Sequence, residues 1–339
     1  MNENILVSIS CITFNHEPYI RQCLEGFLMQ KTNFKFEVLI HDDASTDGTE
    51  EIIREYEAKY PDIIKPLYEK ENQWNLGRRG SSVFNYPRAQ GKYIALCEGD
   101  DYWIDPYKLQ KQVDFLENNP EYVLSNTEVN VLYEESGLII NNFNLVKNIH
   151  NYTGSVLIQD ILKSNYFIKT GTVVFRSYLL SDYFNSKYYL TAKDRLMMGD
   201  TPMWAFMSLK GLFHYLDSPT AVYRRHKGSV SNRKLLQNRL RFRLSSAEMR
   251  LYFIKYFREE FSEQYIKDSL KSYEDIFINN LCLNPKKMPI FQLSNEGGQE
   301  IKKIQHNKIY RLIKKQTLKT KFWLFTKVQD LYYLIKKCH

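Results

Sequence analysis

Residues 93–103 read YIALCEGDDYW. The run from Tyr93 to Cys97 is short, apolar and unbroken, which is the pattern of a strand buried on both faces. It ends in Glu98-Gly99-Asp100-Asp101. Three carboxylates within four residues repel one another unless a cation sits among them. A hard divalent ion, Mg²⁺ or Mn²⁺, bound through oxygen and bridging a diphosphate, relieves that repulsion. The same residues also suit an exposed acidic turn in which Asp101 or Asp105 caps the next helix.

Working outward, residues 5–13 (ILVSISCIT) form a second buried run, followed by helical spacing of Ile20, Leu24, Phe27 and Leu28 between Pro18 and Met29. Residues 36–40 (FEVLI) predict a strand, 49–60 an amphipathic helix stopped by Pro61, and 64–68 a short strand. Strand–helix–strand–helix–strand with short links predicts a parallel sheet with right-handed crossovers. In such sheets ligands bind beyond the carboxyl ends of the strands. Three polar loops follow three of these strands: Thr13–Glu17 (TFNHE), His41–Asp47 (HDDASTD) and Glu98–Trp103. Topology predicts that they converge.

Further along, a helix is expected from Asp105-Pro106 to about Asn118 and a strand over 122–133. A helix over 155–164 and strands over 170–175, 213–216 and 221–225 complete the pattern, with a helix over 200–209. Beyond Asn232 the pattern changes to long charged-and-apolar helices over 234–283. Pro285, Pro289 and Gly297-Gly298 mark a linker, and tail helices occupy 299–337.

Of the second loop, one carboxylate of Asp42-Asp43 is suited to accept a base N–H, with Ser45 and Asp47 bracing. Ser45, Thr46 and Asp47 ahead of Thr49-Glu50-Glu51 equally make a helix-capping sequence. Asp200, with Pro202 two residues on, reads as a helix start. Tyr223–Ser231 (YRRHKGSVS) is a basic, glycine-containing loop suited to close over a diphosphate or to lie solvated.

These blocks together resemble family 2 glycosyltransferases of the GT-A fold. VSISCITFNHEPYIRQCLEGFLMQ, FEVLIHDDASTDGTEEII and GKYIALCEGDDYWIDPYKLQKQ follow in that family's order and spacing, and the resemblance covers about residues 5–232. It implies an α/β fold with a mostly parallel central sheet flanked by helices, carrying here a C-terminal helical extension. Residues 1–110 would form the nucleotide-sugar-binding half, 111–232 the acceptor-binding half, and 233–339 a helical region. It also implies that Thr13, Asn15 and Glu17 line the donor nucleotide and that Asp42 and Asp43 face the base. Glu98, Asp100 and Asp101 would belong to the donor site, with Asp100 contacting Mn²⁺ or Mg²⁺ and His226 completing the metal shell. Asp200 would be the general base of an inverting transfer. Glu98 stands where the family usually has Asp, and Gly99 where it has a small polar residue. The implied donor is a nucleotide sugar, UDP-linked by family frequency. The implied acceptor is a glycan or lipid-linked glycan of bacterial surface polysaccharide synthesis.

Charge and composition set the alternatives. The formal charge is +8, but residues 301–339 hold 11 Lys/Arg and one acid, leaving 36 basic and 38 acidic residues elsewhere. A nucleic-acid binder spreads basic residues over its folded face, so nucleic acid is excluded as a partner. The basic tail carries Leu324, Val328, Leu331 and Ile335 on one helical face. It suits an anionic membrane surface, packing on the protein body, or contact with a second subunit in a homo-oligomer. Five cysteines without a CxxC pair argue for a reducing compartment. No run approaches the ~18 apolar residues that span a bilayer. The expected location is therefore the cytoplasm, peripheral to the inner face of the membrane. A sugar-nucleotide pyrophosphorylase would need a Gly-rich triphosphate loop with a Lys near the N-terminus, and residues 8–20 hold neither. A non-catalytic relative of the same fold would have no need of Asp43, Asp100 and Asp200 together.

Overall fold

A computed structural model describes residues 4–78, 80–193, 196–228 and 236–283. The linker at 285–298, the tail helices, Arg79 and residues 229–231 of the basic loop lie outside the described residues. The chain forms two compact units, 1–233 and 234–339.

The first unit is built on one nine-stranded sheet with helices packed against it. Strand β1 (Ile5–Thr13), helix α1 (Glu17–Leu28), strand β2 (Lys35–Asp42), helix α2 (Thr49–Lys59) and strand β3 (Ile64–Tyr68) follow the expected alternation. β4 (Tyr93–Leu96), β5 (Tyr102–Trp103), α3 (Lys108–Asn118), β6 (Tyr122–Tyr133) and β7 (Leu138–Ile140) come next. Then follow α4 (Phe143–Val146), α5 (Ile158–Lys163), β8 (Val174–Arg176), α6 (Tyr178–Phe184), α7 (Lys187–Ala192), α8 (Asp200–Met207) and β9 (Leu212–Arg225). The order across the sheet is β3-β2-β1-β4-β8-β6-β9-β5, with β7 paired to β6.

β3, β2, β1 and β4 are mutually parallel, as is the long β6–β9 ladder. β8, β5 and β7 pair antiparallel. The sheet is therefore mixed, with its longest ladders parallel. Because β1, β2 and β4 run the same way, their carboxyl ends and the loops after them lie along one edge.

The core explains this arrangement. Val7, Ile9 and Cys11 of β1, Val38 and Ile40 of β2, and Tyr93, Ala95 and Cys97 alternate onto one face. There they meet Ile20, Cys23, Leu24 and Phe27 of α1 and Leu109, Val113 and Leu116 of α3. The helical spacing read in residues 18–29 is this buried stripe.

Several expectations change. The strands at 213–216 and 221–225 are one strand, β9. Its register against β6 slips at Asp217-Ser218, where Leu216 pairs with Thr127 but Pro219 pairs with Glu128. Pro219 lacks an N–H, so it sits at the irregularity rather than within a regular ladder. The run 170–175 opens with a 3₁₀ turn, Thr170–Thr172, before β8. α3 begins at Lys108 because Asp105 Oδ1 accepts the Tyr107 N–H and holds Asp-Pro-Tyr as a turn. The helix expected over 155–164 spans Ile158–Lys163. Helices α6 and α7 were not expected at all.

One packing feature yields a stability prediction. His214 on β9 stacks on Phe115, ring centroids 3.6 Å apart, with Nδ1 2.9 Å from Ser125 Oγ. Burial pushes its pKa down to about 4, against ~6.5 for an unperturbed His. Between those values the unfolded chain binds the extra proton, so stability falls as pH drops through the window and levels off below it. From pH 7 to pH 4.5 the wild type should lose on the order of 1 kcal/mol more than His214→Gln, since solvent screens part of the effect at this half-buried ring. Urea unfolding of both at each pH measures the difference.

In the second unit, α9 (Leu236–Tyr256) and α10 (Glu263–Leu283) pack on each other across a 3₁₀ turn at Arg258–Glu260. No helix among the described residues is long and apolar enough to cross a membrane.

Candidate active site

The three strand-end loops do converge. Asp43 N donates to Thr13 O and Gly99 N to Ile12 O, so the ends of β2 and β4 are both sewn to the end of β1. Gly99 is required for this. A Cβ there would stand 2.7 Å from Thr13 Oγ1 and 3.0 Å from His16 Nδ1. Thr13 Oγ1 is itself buried and without a hydrogen-bond partner.

The first two loops clasp each other. Asn15, in the left-handed region at φ 53°, accepts the Thr46 N–H through Oδ1 at 2.8 Å, and its own N–H goes to Ser45 Oγ at 2.9 Å. Glu17 Oε2 accepts the Gly48 N–H, while Glu17 N donates to Asp47 Oδ2. Asp42 is fully buried and takes the Ser45 hydroxyl at 2.5 Å; burial pushes its carboxyl above the usual range. Asp43 accepts the N–H groups of Gln73 (2.6 Å) and Trp74 (3.1 Å), which pins the next loop. In this structure Asn15, Glu17, Asp42 and Asp43 all brace loops around the end of the sheet.

The EGDD turn splits three ways. Asp100 Oδ2 lies 3.0 Å from His226 Nε2 and 4.0 Å from His16 Nε2. Burial alone would raise the Asp100 carboxyl. The His226 hydrogen bond and the charges of the two histidines together hold it below its usual value. Gly228 N donates to His226 Nδ1 at 3.2 Å, which puts the ring proton on Nε2, facing Asp100. His16 is pushed down, first by burial, and its Nδ1 is buried without a partner. Among the described residues, His16, Asp100 and His226 form a group whose candidate ligand atoms all lie within 4.8 Å of one another. One carboxylate and two imidazoles are a fitting donor set for a divalent ion of the Mn²⁺ kind, and less so for Mg²⁺, which favours all-oxygen shells.

Asp101 turns the other way. It is buried, and Oδ1 accepts the Arg224 N–H of β9 at 2.8 Å. Burial, then Asp100 and Glu98, push its carboxyl well up. It stands apart from the His16–Asp100–His226 group and fastens β9 to the turn. Arg224 completes the fastening, donating to Asp100 O, Glu134 and Gln22.

Glu98 faces a cavity of about 270 Å³ that Asp200 also lines. Burial, then the charges of Asp100 and Asp200, raise Glu98 to about 7, and Thr170 lines the same cavity. Asp200 opens α8 and accepts the Thr201 N–H at 2.7 Å. Thr170 belongs to the 3₁₀ turn held by two buried groups: Trp103 Nε1 donates to Gly171 O, and Lys108 Nζ to Thr172 O.

Sequence reasoning missed His16, although it lies inside the TFNHE block. Lys169 was also missed. Its amine is pushed down by burial and feels the charges of Asp101, Asp200 and Glu98. Tyr86, half-buried on the wall of the cavity that Glu98 and Asp200 line, is a third.

The comparisons settle the family. Residues 8–179, half the chain, match the family model described as glycosyl transferase family 2. The chain belongs to that family. A Mycobacterium tuberculosis protein is 47% identical over 129 residues, covering 38% of this chain and 36% of its own length. A putative teichuronic acid biosynthesis glycosyltransferase of Bacillus subtilis, TuaG, is 36% identical over 111 residues, covering 33% and 42%. The chain thus spans well under half the length of these relatives. Among solved structures, S. aureus TarS 1–349 in complex with UDP-GlcNAc superposes with TM-score 0.53 at 16% identity, covering 83% of this chain and 76% of that one. A mannosyltransferase from Pyrobaculum calidifontis, in complex with GDP-Man and Mn²⁺, gives TM-score 0.50 at 14% identity, covering 92% and 81%. These likenesses show the GT-A fold.

Proposed function

We propose that this chain is an inverting glycosyltransferase. It moves a hexosyl or N-acetylhexosaminyl group from a nucleoside-diphosphate sugar, UDP-linked by family frequency, to a hydroxyl of a glycan or lipid-linked glycan. The process served is bacterial surface polysaccharide synthesis, as the TuaG name suggests for that relative. The observation that carries the reading is the EGDD turn. It presents Asp100 to two histidines and, two residues earlier, Glu98 to a cavity shared with Asp200.

His16, Asp100 and His226 would hold the divalent ion, which supplies positive charge to the diphosphate as it departs. Thr13 lies at the same strand end. The clasped loops bearing Asn15, Glu17, Asp42 and Asp43 shape the base end. Asp200 takes the proton of the acceptor hydroxyl as that oxygen attacks the anomeric carbon. The bond to the diphosphate breaks on the opposite face, its electron pair leaves with the diphosphate, and the anomeric centre inverts. Lys169 adds positive charge near both carboxylates of the cavity.

Calorimetry with UDP, GDP and dTDP tests the reading. Nucleotide binding should require a divalent ion and be tighter with Mn²⁺ than with Mg²⁺. Binding indifferent to metal, or absent for every nucleotide, would overturn it.

The basic segment 300–339 is proposed to hold the protein on an anionic membrane surface, on the cytoplasmic side. Its removal should reduce sedimentation with phosphatidylserine vesicles and leave donor hydrolysis intact. Equal sedimentation of both forms would refute the membrane role.

A further inference from the structure

The cavity beside Glu98 and Asp200 has a lining that combines polar groups with an apolar part. Its volume, about 270 Å³, is below the ~300–1,000 Å³ of pockets that take a whole drug-sized ligand. It therefore suits one sugar unit, with the nucleotide outside at the β1–β2 end. Its acidic groups, Glu98 and Asp200, come from the EGDD turn and the start of α8. Asp200 Oδ1 is already committed to the Thr201 N–H. Ser10 Oγ, on another part of the wall, donates to Ser81 Oγ and accepts from Asn85 Nδ2.

Thr170, Lys193 and the hydroxyls of Tyr86, Tyr183 and Tyr189 bring further polar groups, while Phe184, Leu196, Met198 and Met203 give the wall an apolar part. Tyr86 and Phe184 lie with ring centroids 6.1 Å apart. Leu196 and Met203 are themselves buried, so this surface is built into the fold. A sugar hydroxyl turned onto Phe184, Leu196, Met198 or Met203 loses its water and finds no side-chain partner among them, which is unfavourable. A methyl group turned onto them gains apolar burial, and methionine side chains adapt to its shape.

We propose that the sugar taken into this cavity carries a methyl-bearing substituent, an N-acetyl group or a 6-deoxy carbon, in place of one of its hydroxyls. This inference rests on the nucleotide-sugar reading of the same site. It concerns the sugar alone and is independent of which nucleotide is used.

The test measures dissociation constants by calorimetry on the full chain with Mn²⁺. The ligands are UDP, UDP-glucose, UDP-6-deoxyglucose and UDP-N-acetylglucosamine, with matching dTDP and GDP series. The bare nucleotide sets the baseline, so the sugar's own contribution is read within each series. A methyl group in an apolar pocket is worth ~10–200-fold. In the series that binds, at least one methyl-bearing donor should bind about 10-fold or more tightly than the parent hexose. The 6-deoxy and N-acetyl arms distinguish the two sources of the methyl. Equal affinity for all three sugars, or tighter binding of the parent hexose, would overturn the inference and leave the transferase reading standing. No metal-dependent binding in any series would overturn both.

Discussion

Asp200→Asn should bind the donor with near wild-type affinity and transfer its sugar ~10²–10⁴-fold more slowly. The substitution is chosen for what it keeps. Asparagine is the same size and retains an oxygen that accepts the Thr201 N–H, so the start of α8 is preserved. What it removes is the ability to take a proton at neutral pH. Donor affinity comes from calorimetry in the presence of Mn²⁺, and transfer from product formation with a glycan acceptor. If transfer survives, Asp200 is not the base. Glu98, the other carboxylate of the cavity, then becomes the residue to substitute. If donor affinity collapses with transfer, Asp200 is a donor-binding group. Both outcomes differ from unfolding, which thermal denaturation of the variant detects directly.

Much of the first unit was legible because it is built from strongly periodic elements. The strands 64–68 and 122–133 fall where their patterns end, at polar and turn-forming residues. The first two βα units were bounded within a residue or two for the same reason. The failures have local causes. Asp217-Ser218-Pro219 looks like a loop between two strands. It is a bulge within one strand, because the β6 partner continues straight past it. Helices α6 and α7 are only seven and six residues long. Tyrosine and phenylalanine populate both their buried and exposed faces, so no clear stripe marks them. The site was harder. His16 was hidden because its place beside Asp100 depends on Gly99, which lets the ends of β1 and β4 approach. Nor can a run of acids say which side chain faces which way. Asp101 N donates to Glu98 O and closes a turn there, and only the pairing of β5 with β9 fixes that Asp101 faces Arg224.

That division of the acidic turn makes a sharp prediction. Asp100→Ala should abolish Mn²⁺-dependent donor binding, a loss of at least ~10²-fold, because even outer-shell partners of a bound metal are worth 10–100-fold. Asp101→Asn, one residue away, should leave metal-dependent binding near wild type. Its Oδ1 can still accept the Arg224 N–H, and the native carboxyl is already driven well up by burial. Asp101→Ala is the complementary change. It strips a buried N–H of its acceptor and should cost about 1–3 kcal/mol of stability, read from urea unfolding. Two neighbouring aspartates would then fail in different assays, one in metal binding and one in folding. Were the turn merely an exposed acidic loop, both variants would behave alike. His16→Ala extends the test to the residue that sequence reasoning passed over. If His16 is a ligand, its removal should weaken Mn²⁺ more than Mg²⁺, since an imidazole nitrogen matters more to the softer ion. An equal effect on both ions would demote His16 to a neighbour that only shapes the charge around Asp100.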